Sequence, residues 1–297
     1  MVVAGILIAG VASAALLTYY GVLKGKAEVW QSVLVNGKGI KTGSLEITYD
    51  IGDSPAIAGN TYTSLNTLEN RADVPAKVKF VTTQCVADSN ACSWTGHDED
   101  GITTTYLMGT EGINFDNENL YMSFDVEESE ETFLLVYMDT KEGGTIYDYG
   151  NTGTEIRADY MIVDPAANDN LFGGWYLGKW LREEEDDYEG WSEPFSEKPQ
   201  YWICEGFEAT ETRTDGVTHY EFKIPLECIE FDAGYGLSLL QQTGAEVGSW
   251  SDALEKIPDG GITLQPKETM GFAIVNEFAI DLKPDTYTII TNVVPAE

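Results

Sequence analysis

The residues of this chain best suited to chemistry are its four cysteines, because thiols can pair, ligate metal or act as nucleophiles. Cys85 and Cys92 flank the polar, turn-like stretch Val-Ala-Asp-Ser-Asn-Ala. Cys204 and Cys228 stand outside two strand-like stretches, 206–212 and 218–224, which surround Thr214-Asp215-Gly216-Val217. Asp-Gly between such stretches is a hairpin signal. Positions equidistant from Gly216 should then face each other. Cys204 and Cys228 are equidistant from it, which puts them in cross-strand register for a bridge. Disulfides at Cys85–Cys92 and Cys204–Cys228 are expected of an exported chain, and buried free thiols are the alternative.

Carboxylates come next. Asp98, Asp100, Asp116, Asp139 and Asp148 are candidate calcium ligands, since calcium is held by several oxygens from Asp, Asn and Glu. No EF-hand spacing occurs, and an acidic run also serves as a plain solvated surface. Calcium is therefore the one cofactor left open. The only histidines are His97 and His219, which gives zinc or haem ligation little support. There is no His-Glu-x-x-His, Gly-x-Ser-x-Gly or P-loop motif, and nothing singles out a carboxylate pair for glycoside hydrolysis. No enzymatic activity is expected. Trp175, Tyr176, Trp180 and Trp191 could stack on a glycan or anchor a protein interface, and capping a core is the plainer role for such rings.

The charge narrows the partners. Fifty acids against 17 bases give a formal net charge of −33. A field of that sign repels nucleic acid and anionic lipid, so neither is an expected partner. A hydrophobic share of 43% nonetheless supplies a core, so the acids belong on its surface rather than marking disorder.

Those residues must be positioned by strands. Leu45, Ile47, Tyr49 and Ile51 alternate with Glu46, Thr48 and Asp50, and 76–81, 120–126, 132–138, 159–163, 218–224, 271–278 and 286–294 are also strand-patterned. Residues 166–203 read as a loop. The chain is expected to be all-β. It is preceded by an uncharged apolar run, 2–20, long enough for a signal peptide or a membrane helix, which assigns 1–25 to export or anchoring. Export places the protein outside the cell or on its surface, with the membrane touched only through that helix. A strand follows almost at once, at 27–35. Val29, Val33 and Val35 lie on one of its faces and Trp30 and Leu34 on the other, so both faces are apolar.

Gly10-Val11-Ala12-Ser13-Ala14-Ala15-Leu16, then the strand, then the spacing Asn70…Pro75…Val78 resemble the TasA and camelysin group of secreted proteins. The stretches Leu264-Gln265-Pro266-Lys267-Glu268-Thr269 and Pro284-Asp285-Thr286-Tyr287-Thr288 resemble the closing strands of the same jelly-roll domain. The chain's middle departs from that pattern. Leu120-Tyr121-Met122-Ser123-Phe124-Asp125-Val126, Tyr137-Met138-Asp139-Thr140, Ala158-Asp159-Tyr160-Met161-Ile162 and Tyr220-Glu221-Phe222-Lys223-Ile224-Pro225-Leu226 look like a DOMON domain or family-nine carbohydrate-binding module. The two resemblances imply a jelly-roll-like β-sandwich (38–96 and 262–297) with a second β-sandwich inserted at 97–261.

The first resemblance implies a subunit of an extracellular filament or biofilm fibre. Identical subunits would be joined by donor-strand complementation, with 26–37 carrying the donor strand and Val29, Trp30, Val33, Leu34 and Val35 its contact residues. An ordinary first strand paired within its own chain is the alternative. The second resemblance implies a secreted or anchored binder of surface glycans, and a retained N-terminal helix implies a pilin-like subunit.

Overall fold

The computed structural model describes residues 32–39, 45–47, 57–86, 101–127, 134–141, 157–164, 175–183, 188–191, 204–243, 246–250, 253–281 and 287–296. The apolar segment 1–25, Val29, Trp30, Cys92, Asp98, Asp100 and Asp148 lie outside these. Among the described residues the protein is nearly all β, with strands in four antiparallel sheets and one short helix, α1 (Leu226–Ile229).

The first sheet holds the N-terminal end of the described chain and the second its C-terminal strand. The strand order of the first is β17 (Leu254–Lys256), β6 (Ile102–Gly109), β19 (Thr269–Phe278), β4 (Thr61–Asn70), β1 (Val33–Val35) and β2 (Lys38–Gly39). The second sheet runs β18 (Ile262–Leu264), β5 (Ala76–Val86), β20 (Tyr287–Pro295) and β3 (Leu45–Ile47). These two share an apolar core in which Leu68, Phe272 and Ile274 of the first sheet meet Val78, Leu264 and Val293 of the second.

The third sheet runs β13 (Glu208–Thr214), β14 (Val217–Pro225), β8 (Asn119–Glu127) and β7 (Ile113–Phe115). The fourth runs β12 (Tyr188–Trp191), β11 (Tyr176–Glu183), β10 (Tyr160–Val163), β9 (Leu134–Asp139), β15 (Ser238–Thr243) and β16 (Glu246–Trp250). Leu120, Met122, Tyr220, Phe222 and Ile224 of the third sheet pack with Leu134, Val136, Met138, Tyr160 and Ile162 of the fourth. Alternation explains the third sheet, where every second residue of β14 from Thr218 to Ile224 is buried. β9 and β10 are instead buried along almost their whole length. Leu135, Tyr137, Met161 and Val163 form a further cluster on the far side of the fourth sheet.

The first sheet serves both halves. Phe272 and Ile274 face the second sheet, while their neighbours Ala273 and Val275 join the core of the third and fourth sheets, with Leu65 and Leu107 beside them. That double duty explains why six successive residues of β19, from Gly271 to Asn276, are buried. β6 and β17 fall within 97–261 but are strands of this first sheet.

Where sequence patterning and structure differ, local chemistry is the reason. Residues 166–203 read as loop, yet β11 and β12 pair antiparallel there, with Trp180 opposite Trp191. The run Glu184-Glu185-Asp186-Asp187 between these strands breaks the alternation on which a strand reading depends.

Candidate functional site

β1 is the described part of the expected donor strand. Val33 and Val35 enter the core shared by the first two sheets, and Leu34, pointing the other way, is 4% exposed. In the described chain β1 pairs with β4 of its own sheet, with Val33 opposite Asn70, Leu34 opposite Glu69 and Val35 opposite Leu68. Beyond Val35 the chain reverses through Asn36 and Gly37, both at positive φ (49° and 71°), into β2. This is a two-residue turn of the type that Asn-Gly favours. The dipeptide was a signal that sequence reading passed over. Asn36 ties the turn back to β4: its N–H donates to the Thr67 carbonyl (3.0 Å), its Oδ1 accepts from the Thr67 N–H (2.8 Å), and its Nδ2 donates to Asn66 Oδ1 (2.9 Å).

The Asn70…Pro75…Val78 spacing has a physical role here. Asn70 is fully buried, and its Nδ2 donates to the carbonyls of Val74 (2.9 Å) and Gln265 (2.9 Å), with that of Leu264 at 3.2 Å. Its Oδ1 accepts from the Ala72 N–H at 3.0 Å. One side chain thus closes the β4–β5 turn and holds the segment that follows β18.

Cys204 and Cys228 are disulfide-bonded, with Cα atoms 5.6 Å apart. The hairpin beside them is centred between Asp215 and Gly216, both at positive φ, with Thr214 opposite Val217. The geometry behind the expectation therefore needs correction. Continued along that register, position 204 would oppose Glu227, and Cys228 belongs to α1, so the bridge joins the open end of the hairpin to the helix instead of linking two strands. It closes a loop with a sequence separation of 24. A loop of that size predicts a loss of about 3 kcal/mol for Cys204→Ser/Cys228→Ser, read by denaturant unfolding against wild type. Cys85 lies in β5.

Trp175 is half-buried, and its ring meets Tyr220 and Phe222 edge-on at centroid distances of 5.7 and 5.3 Å. Tyr176 packs against the cluster on the far side of the fourth sheet. These two neighbours therefore lean on different cores. Trp180 and Trp191 are register partners.

Among the carboxylates, Asp116 is occupied by its own turn. Its Oδ1 accepts from the N–H groups of Glu118 and Asn119 (both 2.7 Å), and its Oδ2 accepts from the Tyr121 hydroxyl at 2.9 Å. Asp139 accepts from the Tyr235 hydroxyl at 3.4 Å, and burial raises its pKa. Among the described residues, no three His, Cys, Asp or Glu side chains come together as a metal site.

The Asp-bearing and Ala-Asp-Tyr motifs do meet. Asp159 Oδ2 accepts from the N–H groups of Thr140 (3.0 Å) and Lys141 (3.2 Å), and the Thr140 hydroxyl donates to the Ile229 carbonyl at 2.9 Å. Beside them Glu230, left-handed at the end of α1, accepts from Lys141 and from Lys179 (2.7 Å). Those two hydrogen bonds hold its pKa down to about 2. Both ammonium groups lie about 6 Å from the centre of the buried Tyr160 ring. The ensemble clamps α1 to the fourth sheet.

The outer face of the third sheet is polar and carries a cleft of about 450 Å³ whose lining includes Tyr121, Ser123, Glu208, Thr210, Glu221 and Lys223. His219 stands beside it, with Nδ1 2.6 Å from Asp125 Oδ1 and Nε2 3.6 Å from Glu221 Oε1. The hydrogen bond to Asp125 raises its pKa above the ordinary 6.5, with Glu221 adding to the effect. A raised folded value means the stabilisation is complete below 6.5 and fades as pH rises through the folded pKa. Wild type should therefore exceed His219→Gln in urea resistance at pH 5.5, with the gap closing by pH 8.5. A gap that widens with pH would contradict this arrangement.

Comparison with known protein families, with curated proteins and with solved structures finds no match.

Proposed function

We propose that the chain is an exported structural subunit that polymerises outside the cell into a filament. Each N-terminal strand would leave its own sheet and pair with β4 of the next copy. The observation that carries this reading is the placement of β1. It is a three-residue strand with both faces buried, lying between β4 and the two-residue β2. A strand so short gives up few ladder bonds on leaving, and an identical strand from a neighbour restores every contact, which is the condition for low-cost exchange. The apolar run 2–20 supports export, and the resemblance to the TasA and camelysin group supports a jelly-roll-like domain that assembles. A retained helix would make the subunit pilin-like instead.

A second reading, favoured by the polar cleft on the third sheet and the resemblance to carbohydrate-binding modules, is a secreted glycan binder. One experiment separates the two. Purified chain concentrated at neutral pH should give filaments by electron microscopy and no retention on a glycan array. A chain that stays monomeric and is retained on glycans would replace the first reading by the second.

A further inference from the structure

We propose that β13 is an interaction surface for a second copy of this chain, the two joined edge to edge about a two-fold axis. The contact goes beyond strand exchange and does not depend on it, because β13 belongs to the third sheet. β13 ends that sheet's strand order, and among the described strands it pairs with β14 alone. Six of its seven residues are exposed and Ala209 is half-buried, so the edge stands in solvent.

The hairpin turn fixes which backbone groups face outward. Asp215 and Gly216, both at positive φ, form a two-residue turn that Thr214 and Val217 close. The closing pair of such a turn exchanges backbone bonds, and alternate residues of an antiparallel strand direct both groups to the same side. Glu208, Thr210, Thr212 and Thr214 therefore bond to β14, while Ala209, Glu211 and Arg213 direct N–H and C=O away from it. Side chains divide by the same alternation. Thr210 lines the outer cleft and Ala209 leans on the core, so Glu211 and Arg213 share the face of Ala209.

Charge then selects the register. A two-fold axis through Thr212 sets Glu211 opposite Arg213 of the second copy, and Arg213 opposite its Glu211. All four are outward-directed residues, so each pair exchanges backbone bonds and also places opposite charges side by side. Thr212 meets Thr212 and Thr210 meets Thr214, β-branched residues that suit a sheet. An axis through residue 211 or 213 sets like charges opposite each other, which is unfavourable. Within β13 no other bonded register pairs Arg213 with an acid. Charge ordinarily closes an open edge to partners. Here the spacing Glu-x-Arg closes it to strands lacking that spacing and leaves it complementary to itself. A contact this short is weak alone. Repeated along the filament proposed above, it would join filaments side by side.

The test is a cysteine placed on the axis. Thr212 faces its own copy in a non-hydrogen-bonded pair with Cα atoms about 4.5 Å apart, close enough for a disulfide. The full chain carrying Thr212→Cys is oxidised in air at about 0.15 M salt, where repulsion between two acidic copies is screened beyond roughly 8 Å. It is then denatured and run on a non-reducing gel beside wild type. Covalent dimers are expected several-fold faster than from Thr210→Cys or Thr214→Cys, positions that the register sets opposite each other and not opposite themselves. Added to Thr212→Cys, either Glu211→Arg or Arg213→Glu sets like charges opposite and should slow dimer formation several-fold. Both reversals together exchange the signs and should restore it. These side chains are exposed, so thermal unfolding should stay unchanged throughout. Equal bridging at 210, 212 and 214, no covalent dimer at 212, or a double reversal that fails to restore it would overturn the proposal. Each of those results leaves strand exchange standing.

Discussion

Removing residues 26–35 is expected to abolish filament growth and to leave a monomer that folds with an empty slot beside β4. Val33 and Val35 lie in the core of the first two sheets. Burying a valine contributes about 1.5–3 kcal/mol, so the truncated monomer should be less stable by about 3–6 kcal/mol. The rest of that core, including Leu68, Phe272, Ile274 and Val293, remains. A synthetic peptide of residues 27–35 added in trans should fill the slot and restore the melting temperature in a concentration-dependent way, as any ligand of the folded state does. Sedimentation and thermal unfolding with and without peptide read both effects. A truncated chain that still polymerises, or a peptide without effect on its melting, would sink strand exchange.

Gly271→Val should be the most damaging single substitution at the joint between the two halves. A Cβ at Gly271 would stand 1.8 Å from the Phe115 carbonyl oxygen, and one at Gly109 would stand 2.2 Å from that of Ile113. These two glycines sit one step beyond the Phe272–Met108 pair in adjacent strands, so β7 crosses the first sheet with backbone resting on backbone. Asn114 locks the crossing: its Oδ1 accepts from the Gly271 N–H at 2.8 Å and its Nδ2 donates to the Thr269 carbonyl at 3.1 Å. A carbonyl cannot rotate aside as a side chain can, so relief requires lifting β7 from the sheet. The expected loss is about 3 kcal/mol, or a fall of roughly 6–12 °C in melting temperature for a domain of this size. A loss below about 1 kcal/mol would mean that β7 moves freely, because overpacking into fixed structure costs more than that.

How much of this was legible in the sequence follows from which signals are local. Alternation and turn chemistry are local, and they located β5, β8, β9, β10, β14, β19 and β20 to within a few residues. The Asp215-Gly216 turn located the hairpin whose far end the Cys204–Cys228 bond closes. The bond's partner element was not legible, since a hairpin register shifted by one residue and a single turn of helix at Leu226–Ile229 leave no periodic trace. β6 was missed for another reason. Ile102-Thr-Thr-Thr-Tyr is rich in Thr, which reads as linker composition, yet Thr is β-branched and suits a strand wedged between two others. The pairing of β1 between β4 and β2 is a property of sheet order that no segment carries alone. Trp175 illustrates the same limit: its place against Tyr220 and Phe222 arises from contacts across the chain.

The central claim, that β1 belongs to the neighbour in the assembled state, is tested most directly by a cysteine trap. Val35 and Leu68 are register partners. They fall between the Leu34–Glu69 and Asn36–Thr67 positions that exchange backbone bonds, so they form a non-hydrogen-bonded pair with side chains close enough to bridge. In Val35→Cys/Leu68→Cys, filaments are grown under reducing conditions, oxidised, and then denatured on a non-reducing gel. Strand exchange predicts a ladder of covalent dimers, trimers and longer chains, with the unassembled protein closing the same bond within one copy. Filaments that dissolve entirely into internally bridged monomers would contradict it.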